Sequence, residues 1–540
     1  MQFIDFDKTA AYKKLAGLVQ AAEGFDFTAL LTAGRIKNSL VPMAGGLTYS
    51  WAAKRVDQAV LDALSALAEE QELIAKYQAL LDGEIINTGE KRRVLHHLLR
   101  GQLGKQVIHE GRDLGAFYQE ELARFSAFAE AVRSGKIRPS EGKTFSTVVQ
   151  IGIGGSDLGP RALCLALENW AAKEGKRRLR AAFISNVDPD DASQVTASVP
   201  LDETLFVLVS KSGVTQETLA NELFVKDKLK KAGLDPGRHM AAVTSETSPL
   251  AHNPAYLDSF YIDDFIGGRY SSTSAVGGVV LSLAFGPEVF KEVLAGAHEA
   301  DALALKPDLS ANAALLDALI GVWERNFLGY PYTAILPYSQ ALSRFPAHLQ
   351  QLDMESNGKR VNRNGSPLPY STGPVVFGEP GTNGQHSFYQ LLHQGTDPVP
   401  LQFVGFAESQ RGDDVEVDGS TSQTKLKANL AAQIVAFAKG HTPGHIPGQA
   451  SGGGDKTKEF PGGRPSSLIY GRRLTPAALG ALLAHFENKV MFQGFVWNLN
   501  SFDQEGVQLG KVLTKKVLAA KSGGGSGDPA LDAYSAILGV

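Results

Sequence analysis

The chain has little cysteine, no long apolar run and almost no excess of charge. Its single thiol, Cys164, cannot form an intrachain disulfide, which fits a reducing compartment. The nearest approach to a membrane segment, Ala275–Gly286, is too short to span a bilayer and instead predicts a buried core helix. The N-terminus carries Asp5 and Asp7 among its apolar residues, unlike a signal peptide. These absences predict a cytoplasmic protein that is not embedded in a membrane.

Other classes of function are also disfavoured. A net charge of −4 offers no basic surface for nucleic acid or an anionic membrane. His96–His97 has no third ligand at metal-binding spacing, so no metal site is predicted. With 540 residues, 43% hydrophobic and 20% charged, the composition is that of an ordinary globular protein with two or three domains.

The order of elements predicts an α/β fold. Residues 1–115 show helical spacing of apolar residues, as in Val56–Leu81. From Thr144 onward, short apolar runs alternate with helical segments, which is typical of βαβ units and a parallel sheet; a second such series begins near Tyr332. We therefore predict a helical region (1–115), two α/β domains (116–288 and 289–515) and a C-terminal tail (516–540). Gly448–Gly463 is expected to be a surface loop and Ser522–Pro529 a linker.

A glycine-rich turn, GIGGSDLG (Gly152–Gly159), follows the first predicted strand and precedes a helix. Backbone N–H groups in such a turn can bind an anion. The turn is not a dinucleotide fingerprint, because Asp157 replaces the third glycine. A P-loop is also absent, because Ile137 stands where the leading glycine of a motif ending in Lys143-Thr144 belongs. An anion is expected here, but not a nucleotide.

The next predicted strand also ends in hydroxyl groups. VLVSKSGVTQET (Val207–Thr218) places three hydroxyls and one ammonium at a helix start, where they can satisfy the oxygens of a phosphate monoester. The alternative is a helix N-cap beside a surface lysine. Two such turns after neighbouring strands favour a phosphorylated small molecule.

The stretch QQLDMESNGKR (Gln350–Arg360) places Glu355 among several donors, where it could act as a general base; an exposed helix turn is the alternative. Three further candidates follow, and Arg269 and Lys511 each have a plain alternative. Arg269 could neutralise an oxyanion or cap a helix, His386 follows a glycine-rich loop, and Lys511, with Gln504, lies in a turn entering a helix where lysines usually face solvent.

Taken together, the chain resembles the glucose-6-phosphate isomerase (phosphoglucose isomerase) family. The similar stretches occur in the family's order between about Ile151 and Lys511. They read IGIGGSDLGP, SKSGVTQET, GGRYSSTSAVG, QQLDMESNGKR, GEPGTNGQHSFYQLLHQGT and SFDQEGVQLGK. The resemblance implies two sugar-isomerase (SIS)-type domains, flanked by the N-terminal helices and the tail. It also implies aldose–ketose interconversion of glucose 6-phosphate and fructose 6-phosphate without a cofactor.

The resemblance also implies roles for individual residues. Glu355 would carry the proton between C2 and C1, Arg269 would stabilise the cis-enediolate, and Gln351 would line the sugar pocket. His386 would assist ring opening with Lys511 nearby and Glu217 as its acidic partner. The phosphate would be held by Gly155, Ser156, Ser210, Lys211, Ser212 and Thr215, with Gln504 close by. The family's histidine comes from the neighbouring subunit, which implies an obligate homodimer with shared active sites.

The chain departs from the family at a few positions. Gly213 and Val214 replace larger or polar residues of the phosphate turn, and Glu505 stands where tryptophan or proline is frequent. A dual glucose/mannose-phosphate isomerase therefore stays open as an alternative. A non-catalytic phosphosugar sensor is less favoured, because a sensor has no need for Glu355, His386, Arg269 and Lys511 together.

Overall fold

The computed structural model describes residues 1–139, 143–441, 456–520 and 525–540. The predicted loop Gly448–Gly463 and linker Ser522–Pro529 lie partly outside these residues. The strands are β1 (Leu40–Pro42), β2 (Leu47–Ala53), β3 (Ile108–His109), β4 (Arg112–Asp113), β5 (Thr147–Ile151), β6 (Arg180–Ile184), β7 (Thr204–Val209), β8 (Met240–Thr244), β9 (Ser259–Tyr261), β10 (Tyr332–Tyr338), β11 (Val375–Phe377), β12 (Leu401–Phe406), β13 (Glu416–Val417), β14 (Ser420–Thr421) and β15 (Ser466–Gly471).

Helices precede, separate and follow these strands. They are α1 (Ala10–Glu23), α2 (Phe27–Leu30), α3 (Ala33–Asn38), α4 (Gln58–Glu70), α5 (Leu73–Leu81), α6 (Leu114–Arg133), α7 (Leu158–Lys173), α8 (Pro189–Ala197), α9 (Gln216–Lys231), α10 (Ala275–Phe285), α11 (Pro287–Leu303), α12 (Ala313–Asn326), α13 (Phe345–Gln350), α14 (Tyr389–Gln394), α15 (Ser422–Lys439), α16 (Pro476–Val496), α17 (Gln508–Ala520) and α18 (Pro529–Leu538). No helix in the described part of the chain is both long and apolar enough to cross a membrane.

The first sheet is parallel and has the strand order β6-β5-β7-β8-β9. Strands β5, β7 and β8 are buried along their whole length, as expected where both faces of a parallel sheet are covered. Helices α9 and α10 pack on it. Every residue of α10 is buried, which confirms the predicted core helix.

The second sheet has the order β1-β2-β15-β12-β10-β11. Its last four strands are parallel, whereas β2 runs antiparallel to both β1 and β15. The predicted α/β class with parallel sheets and flanking helices is thereby confirmed. The predicted helical region 1–115 contains helices α1 to α5, but it also contains the strands β1 to β4.

Helix α16 forms the centre of the second half of the fold. It is buried along almost its entire length and packs against α11 and α12. The chain divides into two compact units, Met1–Ser501 and Phe502–Val540. The first contains both sheets, and the second contains α17 and α18, neither of which has a buried residue. The predicted boundary at residue 516 falls within α17 and not at its start.

Candidate active site

The first sheet has a topological switch point between β5 and β7. From β5 the chain crosses to β6 on one side, then to β7 on the other side of β5. Loops at the carboxyl ends of two such strands diverge and leave a crevice, which is where open α/β sheets bind ligands. The glycine turn after β5 and the hydroxyl turn after β7 therefore flank one crevice, as their sequence placement predicted.

The glycine turn packs tightly against the turn that carries Arg269. A Cβ atom on Gly155 would lie only 2.2 Å from the carbonyl oxygen of Gly268, so a side chain at this position would force the two turns apart. Gly154 has a φ of +59°, a left-handed value that suits glycine, and its missing side chain leaves room for the Gln351 amide. Gly155, Ser156 and Gln351 are thus brought to one place.

The hydroxyl turn after β7 leads into α9 through Thr215, the residue that precedes the helix. Ser210 Oγ donates a hydrogen bond to Thr215 Oγ1 at 3.3 Å, and Ser212 Oγ accepts one from the backbone N–H of Val214 at 3.3 Å. These three hydroxyls therefore gather at the N-terminus of a long helix, where partial positive charge favours an anion.

Gly213 explains one departure from the family pattern. Its φ is +68°, and a Cβ atom there would lie 2.1 Å from Ser248 Oγ. The turn therefore packs directly on the segment after β8, in a conformation and a space that a larger side chain does not fit. The hydroxyls of Ser212 and Thr215, one on each side of Gly213, lie at the start of α9.

Lys211 contacts the segment that leads from β9 to Arg269. Its Nζ donates to the carbonyl oxygen of Ile266 at 3.2 Å and lies 3.7 Å from Asp264 Oδ1. Burial lowers the pKa of Lys211, and the nearby Asp264 opposes that shift. The lysine thus links the hydroxyl turn to the turn that carries Arg269.

Glu355 ends a π-helical turn, Gln351–Glu355, that follows directly on α13. Such turns are rare and occur frequently at functional sites. The Glu355 side chain is 22% exposed, and its Oε2 lies 3.6 Å from Arg269 Nη1. Glu355 Oε2 and Gln351 Oε1 are both buried and accept no hydrogen bond from the described residues. The predicted base, cation and sugar-pocket glutamine therefore meet at one turn.

The remaining candidates are placed differently. His386 ends a short helical turn, Asn383–His386, and is exposed, while Glu217 lies half-buried in the first turn of α9. Across the described ranges, His386 forms no hydrogen bond or ion pair with Glu217 or Glu355. Gln504 and Lys511 belong to the second compact unit, where Gln504 precedes a short turn and Lys511 is exposed on α17.

Two contributors to the site were missed from the sequence. Ser356 Oγ accepts a hydrogen bond from Arg269 Nε at 2.7 Å and lies 3.0 Å from the Tyr270 hydroxyl. Both residues are buried. Their position next to Glu355 and Arg269 in the chain was the available signal, but which partners they contact depends on how two distant turns pack.

Comparison with known proteins identifies the family of this chain. The family model of phosphoglucose isomerase matches residues 50–528. A glucose-6-phosphate isomerase from Treponema denticola is 61% identical over 528 residues, which cover 98% of this chain and 97% of that protein. One from Borreliella burgdorferi is 49% identical and covers 90% of this chain and 91% of its own.

A solved structure is similar over the same length. The crystal structure of a glucose-6-phosphate isomerase from Chlamydia trachomatis has a TM-score of 0.89 and 42% identity, with 99% of each chain covered. The resemblance inferred from the six sequence stretches is thereby confirmed. The chain belongs to the phosphoglucose isomerase family.

Proposed function

We propose that this chain interconverts D-glucose 6-phosphate and D-fructose 6-phosphate through a cis-enediolate, a step of glycolysis and gluconeogenesis. The observation that carries the proposal is the pairing of Glu355 with the buried Arg269 at 3.6 Å, beside two phosphate-suited turns. Membership of the phosphoglucose isomerase family supports the same reaction.

The phosphate end of the substrate would bind at the switch point of the first sheet. Ser210, Ser212 and Thr215 supply hydroxyls at the start of α9, and the turn Gly154–Ser156 lies at the end of the adjacent strand. The phosphate does not react, so its contacts provide binding energy that orients the reacting carbons. Lys211 adds positive charge to this end.

Glu355 would move the proton between C2 and C1. Its Oε2 accepts no hydrogen bond from the described residues, so a lone pair can face a carbon-bound proton. Positioned general-base catalysis of this kind contributes roughly 10²–10⁴-fold. Arg269 is fixed beside it and would stabilise the negative charge that develops on the enediolate oxygens.

Ring opening would need a second proton-transfer group, and His386 is the candidate. Its exposure in the single chain suits a residue that serves the site of a neighbouring subunit. We propose a homodimer in which His386 of one subunit meets Glu217 and the sugar ring in the other. Lys511 and Gln504 are proposed as further substrate-binding residues. A cytoplasmic location is part of the same proposal.

A coupled assay with fructose 6-phosphate and mannose 6-phosphate, run side by side, tests the function. We expect turnover of fructose 6-phosphate to glucose 6-phosphate and little or none of mannose 6-phosphate. Comparable rates with both would favour the dual isomerase. Binding of both sugars without turnover would indicate a sensor and contradict the proposal.

A further inference from the structure

The guanidinium of Arg269 is held on each of its three nitrogen atoms. Nε donates to Ser356 Oγ at 2.7 Å, Nη2 donates to the carbonyl oxygen of Ser501 at 2.6 Å, and Nη1 faces Glu355 at 3.6 Å. The side chain is only 1% exposed. A buried guanidinium fixed on all sides has one orientation, which a flexible lysine ammonium would not have.

Ser356 is itself fixed from a second direction. Its hydroxyl lies 3.0 Å from the Tyr270 hydroxyl, and the Tyr270 ring stacks on His96 with 4.7 Å between ring centroids. Ser356, Tyr270 and His96 are all buried. The hydroxyl can accept from Arg269 and exchange a second hydrogen bond with the tyrosine, so its rotation is restricted.

Asn357 fixes the contact between Arg269 and the Ser501 carbonyl indirectly. Its Oδ1 accepts a hydrogen bond from Ser501 Oγ at 2.7 Å, and its Nδ2 donates to the carbonyl oxygen of Val490 in α16 at 2.9 Å. A Cβ atom on Gly494 would lie 1.9 Å from Ser501 Oγ, so the missing side chain of this helix residue makes room for the pair. The Ser501 carbonyl that holds Arg269 is thus anchored to the central helix.

We propose that Ser356 and Asn357 are positioning residues for Arg269, so that three consecutive residues, Glu355, Ser356 and Asn357, orient one guanidinium. The inference rests on the proposed isomerase function. A cation held in place before the reaction starts costs no reorganisation when charge develops, and small displacements of such groups are costly. Ser356 acts on one nitrogen directly, and Asn357 acts on another through Ser501.

The test is Ser356→Ala in the full-length chain, assayed with fructose 6-phosphate. We expect kcat to fall roughly 10- to 100-fold, because the guanidinium loses the partner of its Nε. KM should change by less than about threefold, because the phosphate contacts remain. The matched control is Ser282→Ala, a buried serine on α10 whose hydroxyl has no hydrogen-bond partner among the described residues; its kinetics should equal those of the wild type.

A double-mutant cycle separates positioning from general packing. If Ser356 acts through the arginine, Ser356→Ala should lower kcat by less than about threefold when it is made in an Arg269→Lys background. An equal loss in both backgrounds, or an unchanged kcat in Ser356→Ala, would overturn the proposal while the wild-type activity still supports the function. An inactive wild type would instead overturn the function.

A second variant covers the case in which Ser356→Ala does not fold. Ser501→Ala keeps the carbonyl that contacts Arg269 but removes the hydroxyl that ties it to Asn357. We expect a lower kcat at nearly unchanged KM, by about three- to tenfold. Wild-type kinetics in this variant would contradict the role of Asn357.

Discussion

Two acidic residues of one π-helical turn lie in opposite surroundings. Glu355 is partly exposed and faces Arg269. Asp353 is buried, and one of its carboxyl oxygens accepts no hydrogen bond from the described residues. Burial raises the pKa of Asp353 to about 7, although Lys489 opposes the shift. The turn therefore presents one carboxylate to the site and holds the other in the interior, beside a small cavity of about 30 Å³.

The first residue-scale prediction concerns the proposed base. Glu355→Gln keeps the size of the side chain but cannot accept a proton from carbon, so exchange of the C2 proton with solvent should fall by roughly 10²–10⁴-fold. Affinity for the phosphosugar should stay within roughly tenfold. Proton exchange followed by NMR in D₂O measures the first quantity. Glu408→Gln, at an exposed ion pair with Arg472, is the control and should exchange normally; retained exchange in Glu355→Gln would remove it as the base.

The second concerns the pH dependence of stability. Asp353 stays protonated in the folded chain up to about pH 7, whereas its ordinary pKa is 3.8. The folded state thus binds more protons between these values, so the contribution of Asp353 to stability is full below its ordinary pKa and is lost as pH rises to about 7. Asp353→Asn removes this titration. The two charged residues that shift the pKa of Asp353, Lys489 and Asp317, are unchanged in this variant.

Melting temperatures of both proteins at about pH 5 and about pH 8 check this expectation. The free energy of unfolding of Asp353→Asn minus that of the wild type should rise between the two pH values by roughly 1–3 kcal/mol. A difference between the two proteins that does not change with pH would show that Asp353 ionises normally.

At the scale of elements, the crossing of α11 and α16 depends on glycine. A Cβ atom on Gly480 would lie 1.9 Å from the carbonyl oxygen of Val293, and one on Gly296 would lie 1.9 Å from that of Ala477. The two helix backbones therefore approach more closely than any side chain permits. Because α16 also carries Val490 and Gly494, this crossing sets the position of the helix that supports the Arg269 contacts.

Gly480→Ala should therefore destabilise the protein by about 1–3 kcal/mol, since the added methyl group meets backbone that cannot move aside. Differential scanning calorimetry measures the loss. Gly17→Ala is the matched control: Gly17 is exposed in α1 with nothing within 4 Å of its missing Cβ, so alanine there should stabilise by about 0.5–1 kcal/mol. Equal effects at the two glycines would contradict the close crossing.

The elements that the sequence predicted best are those with local signals. Apolar runs and the turns after them indicated both parallel series, the spacing of apolar residues in Val56–Leu81 indicated α4 and α5, and a short apolar run indicated α10. Strands β1 and β2 were missed because β1 has only three residues and because β2 pairs with β15, as in Tyr49 with Ile469, across most of the chain. Glu355 and Arg269 stand in recognisable motifs and were found as candidates. Ser356 and Tyr270 were missed because the contacts of their hydroxyls depend on how two distant turns pack.

At the scale of the whole molecule, one chain contains two groups of candidate residues. Arg269, Glu355 and Gln351 meet at one turn, whereas His386 is exposed at the end of the turn Asn383–His386 and forms no described contact with Glu355. In a symmetric dimer the same surface of each subunit contacts the other. A chain that contributes a residue to its partner's site therefore receives the same residue from its partner. The proposed shared site requires this exchange.

Hybrid dimers test the exchange directly. Glu355→Gln and His386→Ala should each abolish isomerisation when expressed alone. If His386 crosses between subunits, a dimer of one Glu355→Gln chain and one His386→Ala chain contains one site with both residues intact and one with neither. Hybrids co-expressed with two different affinity tags and purified on both should therefore regain about half of the wild-type activity. Co-expression of two differently tagged Glu355→Gln chains is the control and should stay inactive. Inactive hybrids would place His386 in the site of its own chain, and failure to recover any doubly tagged species would contradict the dimer.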